Sequence, residues 1–159
     1  MNIKLVRAEE SDAELIHSMQ IRTFQPLLEI YQDMDTNPAN ESIERTIARI
    51  RREDGGYYLI LSEGQPAGAV CVYDKAQTAS SYWISPIFII SEYQGKGIAQ
   101  AALSMLEERF PKVRDWNLAT IAEEKRNCHL YEKMGYQRTG EPKPINHRAS
   151  LVFYVKRKR

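Results

Sequence analysis

Apolar and polar positions along this chain follow two periods, and the places where one gives way to the other mark the elements. Asn2 to Val6 alternates weakly and reads as a first strand. Ser11-Asp12-Ala13-Glu14 has the form of a capping box, and Leu15, Ile16 and Met19 give the helix behind it a buried face. Pro26 is expected to disrupt or end that helix, because proline lacks an N–H and its ring meets the preceding turn. Ile43, Ile47 and Ile50 recur at helical spacing behind Asn40, a good N-cap, and Asp54-Gly55-Gly56 stops this second helix. Tyr57 to Leu61 and Ala67 to Tyr73 are strand-like and flank Glu63-Gly64-Gln65-Pro66, the pattern of a hairpin.

A polar loop, Asp74 to Ser81, leads into a strand from Tyr82 to Ile90, rich in β-branched residues as a buried strand is. The run breaks at Ser91-Glu92-Tyr93-Gln94 and passes Gly95 and Gly97 into a helix. On that helix Ile98, Ala102, Leu106 and Phe110 share a face with Ala99 and Leu103, while Gln100, Ser104 and Glu107 lie opposite. Pro111 marks a break. Trp116 to Ile121 is a further strand, Glu124 to Met134 a helix, and Gly135 stands where a left-handed C-cap glycine belongs. Tyr136 to Thr139 begins another strand, Glu141-Pro142-Lys143-Pro144 reads as a loop, and Ser150 to Val155 is the last strand. The order predicts an α/β fold, a mixed sheet with helices on both faces.

At 159 residues the chain fits one domain spanning 1–159. A net charge of +1 gives no reason to expect broad nucleic-acid binding. The basic end, Lys156-Arg157-Lys158-Arg159, reads as a solubilising terminus. Cys71 and Cys128 form no disulfide framework and no CxxC, so a reducing cytoplasm is the expected location. With no signal peptide and no run of 18 apolar residues, a soluble protein without membrane attachment is expected. His17, His129 and His147 show no metal-ligand spacing, and neighbours Cys128 and His129 point about 100° apart on a helix, so no metal and no thiol–imidazole pair is expected.

The chemistry concentrates at the strand–glycine–helix junction. A helix start leaves unpaired N–H groups, the dipole adds positive potential, and glycines let the main chain approach a ligand. This is a cradle for a phosphate or pyrophosphate. GKGIAQ lacks the third glycine of the dinucleotide fingerprint and the Gly-Lys-Ser/Thr of a P-loop. Gln94-Gly95-Lys96-Gly97-Ile98-Ala99 instead resembles Gln/Arg-x-x-Gly-x-Gly/Ala, the acyl-CoA pyrophosphate loop of the GCN5-related N-acetyltransferases (GNAT family). Leu130-Tyr131-Glu132-Lys133-Met134-Gly135-Tyr136 resembles that family's Leu-Tyr-Glu-Lys-x-Gly-Phe segment, in the same order and at family-like spacing. The resemblance covers Tyr57 to Gly140 well and the N-terminal third in outline.

The resemblance implies a mostly antiparallel sheet of six to seven strands with about four helices, its central strands splayed to admit acyl-CoA. It implies an acetyl-CoA-dependent N-acetyltransferase that moves an acetyl group to a primary amine by direct attack and leaves CoA as product. The backbone of Ile87, Phe88 and Ile89 would pair with the pantetheine as an added strand does. The stretch Gln94, Gly95, Lys96, Gly97, Ile98, Ala99 and Gln100 would hold the pyrophosphate. Tyr131 would be the general acid to the CoA thiolate; the other reading of it is a core tyrosine with a backbone partner. Where many family members carry asparagine seven residues before the tyrosine, this chain has Glu124, and Asn127 either replaces that contact from the next turn or simply packs.

Family members often place a glutamate on the strand before this helix, whereas this chain offers Ala119 and Thr120, leaving Glu92, Glu123 and Glu124 as the nearest carboxylates for a base. Glu29, Asp33 and Asp35, with Tyr31, either attract an ammonium group or are merely hydrated, and Arg22 is a possible carboxylate partner. The expected acceptor is a small-molecule or peptide amine. By analogy with relatives a homodimer is possible, with Ser150–Val155 supplying a sheet edge. The competing reading is a non-catalytic acyl-CoA-binding sensor or interaction module.

Overall fold

A computed structural model describes residues 1–158. Seven strands form one sheet: β1 (Ile3–Arg7), β2 (Gly55–Ser62), β3 (Gln65–Tyr73), β4 (Ser81–Ile89), β5 (Asp115–Ile121), β6 (Gln137–Pro144) and β7 (Ser150–Arg157). Their spatial order is β1-β2-β3-β4-β5-β7-β6, antiparallel throughout except for the β4–β5 pair. Four helices accompany them: α1 (Ala13–Tyr31), α2 (Ile43–Ile50), α3 (Ile98–Arg109) and α4 (Lys125–Lys133).

Period-2 alternation in the strands divides the core in two. Tyr57 and Leu59 of β2, with Ala69, Cys71 and Phe88, face Ile16 and Met19 of α1 and Ile50 of α2. Tyr58 and Ile60, with Val70, Val72 and Ile84, turn to the other face. There they meet Ile98, Ala102, Leu103 and Leu106 of α3 and Cys128 and Tyr131 of α4. Each fully buried Leu, Ile or Val contributes about 1.5–3 kcal/mol, so both layers are held by side chains that a one-residue slip of register would expose.

The β4–β5 seam positions the site. Only Ser81–Asp115, Tyr82–Trp116 and Trp83–Asn117 pair across it. The Asn117 amide seals it by donating to Ser81 Oγ (2.9 Å) and the Tyr82 carbonyl (3.1 Å). Beyond Trp83 the two strands part. On its other side β4 stays paired with β3, where the step from Val70 to Val72 spans Ile87 to Ile84, so Ser85-Pro86 forms a bulge. The cleft-facing edge of β4 from Ile84 to Ile89 therefore has no ladder partner.

Local expectations are corrected at several points. Pro26 neither ends nor interrupts α1, which continues to Tyr31. The proline removes one helical hydrogen bond, but buried Leu28 and Tyr31 anchor the last turns. Asn146 and Arg148 also donate to the carbonyls of Tyr31 (2.9 Å) and Ile30 (3.0 Å). The capping box is formed by Glu9 and Asp12, two residues earlier than expected, and opens a 3₁₀ turn, with the Glu9 N–H donating to Asp12 Oδ2 (2.9 Å). Ser42, not Asn40, precedes α2; Asn40 closes a 3₁₀ turn capped by Asn37, whose Oδ1 accepts from the Ala39 N–H (2.8 Å).

Glu141-Pro142-Lys143-Pro144 belongs to β6 rather than to a loop. A register shift between Thr139 and Lys143, at a left-handed Gly140 (φ 70°), carries the extra residues. As the exposed edge strand, β6 tolerates prolines that an inner strand would not. By the same order β7 lies between β5 and β6, so Ser150–Val155 offers no free edge to a second copy. Lys156 and Arg157 belong to β7, and Lys156 Nζ pairs with Glu107 (3.0 Å); Arg159 lies outside the described residues.

Candidate active site

Where β4 and β5 part, a cleft of about 240 Å³ opens between Ile84–Ile87 on one wall and Leu118–Ile121 on the other. Residues from α1, the following loop and α4 close its ends, among them Phe24, Asp33, Glu124, Asn127 and Tyr131. Phe88 turns the opposite way and packs edge-on against Phe24 (5.9 Å), so of the three predicted strand residues Ile87 alone presents its side chain to the cleft.

At the end of β4 the chain makes a 3₁₀ turn, Ser91–Tyr93, then enters α3 through Gly95 (φ 76°) and Gly97 (φ 79°). A Cβ on Gly97 would meet nothing within 4 Å, and on Gly95 only the Arg126 guanidinium at 3.9 Å. The main chain is thus shaped by left-handed glycines around open space. Among the described residues, the N–H groups of Gly95, Lys96, Gly97, Ile98, Ala99 and Gln100 have no protein acceptor, and no side chain caps α3. Six consecutive free donors at a helix start fit a diphosphate well. Gln94 acts differently: its side-chain amide donates to the Ile89 carbonyl (2.8 Å) and ties the loop to the strand. Lys96 lies over the Tyr93 ring at 5.5 Å. Arg126, which sequence reasoning passed over, brings a cation beside the glycines; its position on the first turn of α4 was the signal.

Asn127 and Tyr131 lie four apart on α4 and share the face turned to the cleft, and Glu124, the N-cap of that helix, lines the cleft beside them. Tyr131 is 6 % exposed and packs against Tyr136 (5.9 Å) and Tyr154 (6.0 Å). Its hydroxyl has no hydrogen-bond partner among the described residues, and burial pushes the phenol up to about 12. Asn127 keeps a free side-chain amide in the cleft.

The three carboxylates considered as bases separate clearly. Glu92 is on the surface in an ion pair with Arg22, whose hydrogen bond holds it down to about 2. Glu123 Oε1 accepts from the Ser150 N–H (3.0 Å). Glu124 lines the cleft, and its Oε2 accepts from the Tyr31 hydroxyl (2.5 Å). Burial first and this carboxylate second push the Tyr31 phenol up to about 12. Of the acidic set on the α1–α2 connection, Asp33 reaches the cleft, while Glu29 and Asp35 are exposed.

The model of the Acetyltransferase (GNAT) family matches residues 24–136, more than half of the chain. This chain is a member of the GNAT family. It is accordingly an acetyl-CoA-dependent N-acetyltransferase. A comparison with curated proteins gives no match. The GNAT chain superposes on solved acetyltransferases over nearly its whole length. With an acetyltransferase from Thermus thermophilus the TM-score is 0.78 at 16 % identity, covering 99 % of this chain and 98 % of that one. With the spermidine N-acetyltransferase from Vibrio cholerae, solved with CoA and spermine, it is 0.75 at 19 % identity, covering 96 % and 94 %. With the ribosomal-protein-S18-alanine N-acetyltransferase from Escherichia coli it is 0.75 at 14 % identity, covering 98 % and 94 %. At these identities the likeness establishes the fold.

Proposed function

We propose that this GNAT domain, residues 1–159, acetylates a primary amine of a small molecule or peptide by direct attack, with Tyr131 as general acid. The observation that carries the reading is Tyr131, a buried side chain lining the cleft whose hydroxyl has no partner among the described residues. Acetyl-CoA supplies the acyl group as an activated thioester. The free amides from Gly95 to Gln100 hold the diphosphate, with Arg126 beside them. The unpaired edge of β4 around Ile87–Ile89 offers backbone groups to the pantetheine, as an added strand would use them. Asn127 donates or accepts from the next turn of α4.

The amine enters from the α1 end of the cleft and attacks in its neutral form; of the candidate bases only Glu124 is placed there. Tyr131 holds its proton throughout the neutral range and presents it to the departing sulfur. The burial that raises this phenol equally disfavours a bare thiolate next to it, so donor and acceptor are raised together and the hydrogen bond stays matched. Calorimetry with CoA, followed by thiol release from acetyl-CoA on adding amines, tests the reading. Tight CoA binding with no amine-dependent release from a broad amine panel would leave only the cofactor-binding module.

A further inference from the structure

The cleft carries a charge pattern that its transferase role does not require. Asp33 is 4 % exposed, and both its oxygens accept from the single Asn37 side-chain nitrogen, at 3.1 and 3.3 Å. Glu124 Oε2 accepts from Tyr31, and its Oε1 has no donor among the described residues. Neither acid takes part in a salt bridge among the described residues, and no Lys, Arg or His lines the cleft. Lys125 and Arg126 directly follow Glu124 in the chain but do not line the cleft; Arg22 pairs with Glu92, and Arg148 donates to the Ile30 carbonyl. Two carboxylates lining one cleft, both acting on the same Tyr31 phenol and neither with a counter-ion, are a costly arrangement that a cationic ligand relieves. An independent sign of a ligand comes from Tyr131, nine-tenths buried, unpartnered and lining the same space. Between them the walls are apolar: Phe24, Leu27, Ile84, Ile87 and Leu118.

Taking the transferase reading above as given, we propose that the acceptor is an amine on an apolar body with no carboxylate or phosphate near its nitrogen. Asp33 and Glu124 hold its ammonium form on arrival, while the aliphatic and aromatic walls take the body. A free amino acid is disfavoured, because its carboxylate would sit among like charges with no cation to receive it.

The test uses charge-matched acceptors on one body: phenethylamine, phenylalanine amide and phenylalanine. Thiol release with acetyl-CoA gives kcat/KM for each, and calorimetry on the CoA-saturated protein gives affinity without turnover. The amine and the amide are expected to exceed phenylalanine by about 10-fold or more. Glu124→Gln should raise KM for phenethylamine by about 10-fold and narrow its advantage over phenylalanine, with Tm recorded alongside. Asp33→Asn is the second variant should the first fold poorly.

Equal or better use of phenylalanine, or an advantage unmoved by both variants, would overturn the inference. Absence of thiol release with every amine, with the calorimetric order intact, would sink the transferase reading and leave the acceptor preference standing.

Discussion

Replacing Tyr131 with phenylalanine removes one oxygen and leaves the ring. The contacts with Tyr136 at 5.9 Å and Tyr154 at 6.0 Å survive, and no partner is orphaned, because the hydroxyl has none. Stability should therefore stay within about 0.5 kcal/mol. Catalysis should respond very differently. Loss of a positioned proton donor lowers turnover by about 10²- to 10⁴-fold, some 2.7–5.5 kcal/mol of barrier. The lost interaction forms only as the sulfur departs, so kcat and kcat/KM should fall together while the Kd for CoA stays within about twofold. Steady-state thiol release, calorimetry with CoA and a thermal melt together give the three quantities. A merely structural tyrosine would show the opposite pattern, a lower Tm with turnover kept. Unchanged turnover in Tyr131→Phe would refute the assignment of this residue as the acid.

Gly97→Val places a branched side chain at φ 79°, where the surrounding space is empty; the chain should fold with a loss of about 1–2 kcal/mol. Its Kd for CoA should rise by about 10- to 100-fold as an amide–phosphate bond is lost, and unaltered affinity would disprove the cradle. Arg126→Ala should weaken CoA binding about 2- to 5-fold at low salt, and the difference should shrink as salt is added. Gly68→Ala would set a Cβ 2.0 Å from the Phe88 carbonyl oxygen, so a melt should show a drop of about 3 kcal/mol or more; a normal Tm would mean that β3 and β4 can part. Burial raises the phenols of Tyr57, Tyr131, Tyr136 and Tyr154 above the unfolded value near ~10. Their stabilising share is complete below about pH 10 and is lost as pH rises through the folded-state values. The part of the phenolate absorption band due to these four should therefore grow in step with loss of far-ultraviolet circular dichroism, and ionisation of all nine tyrosines near pH ~10 with the fold intact would contradict this.

Element order was legible in the sequence wherever periodicity and punctuation agreed. The hairpin of β2 and β3, the glycine entry to α3 and the Gly135 stop after α4 all have local physical causes, and each is where the pattern placed it. Pro26 misled because propensity is local while the last turns of α1 are pinned by Asn146 and Arg148, more than a hundred residues downstream. The prolines of β6 misled because edge and inner strands cannot be told apart before the sheet order is known. At the site, the amide cradle and Tyr131 stood out as spaced motifs. Glu124 and Asp33 were legible only as two among several candidate carboxylates, since what sets them apart is a shared cleft and the absence of a cation from its lining. Both come from tertiary geometry.

In the proposed function the loop from Gly95 to Gln100 holds the diphosphate through its peptide groups, and this has an evolutionary corollary. Side chains at 96 and 100 are partly or wholly solvent-facing and contribute little to the grip, so they are free to drift. What inheritance must keep is a path: two points where the chain can turn left-handed and a helix that starts immediately afterwards. A shape stored this way survives wide divergence in lettering.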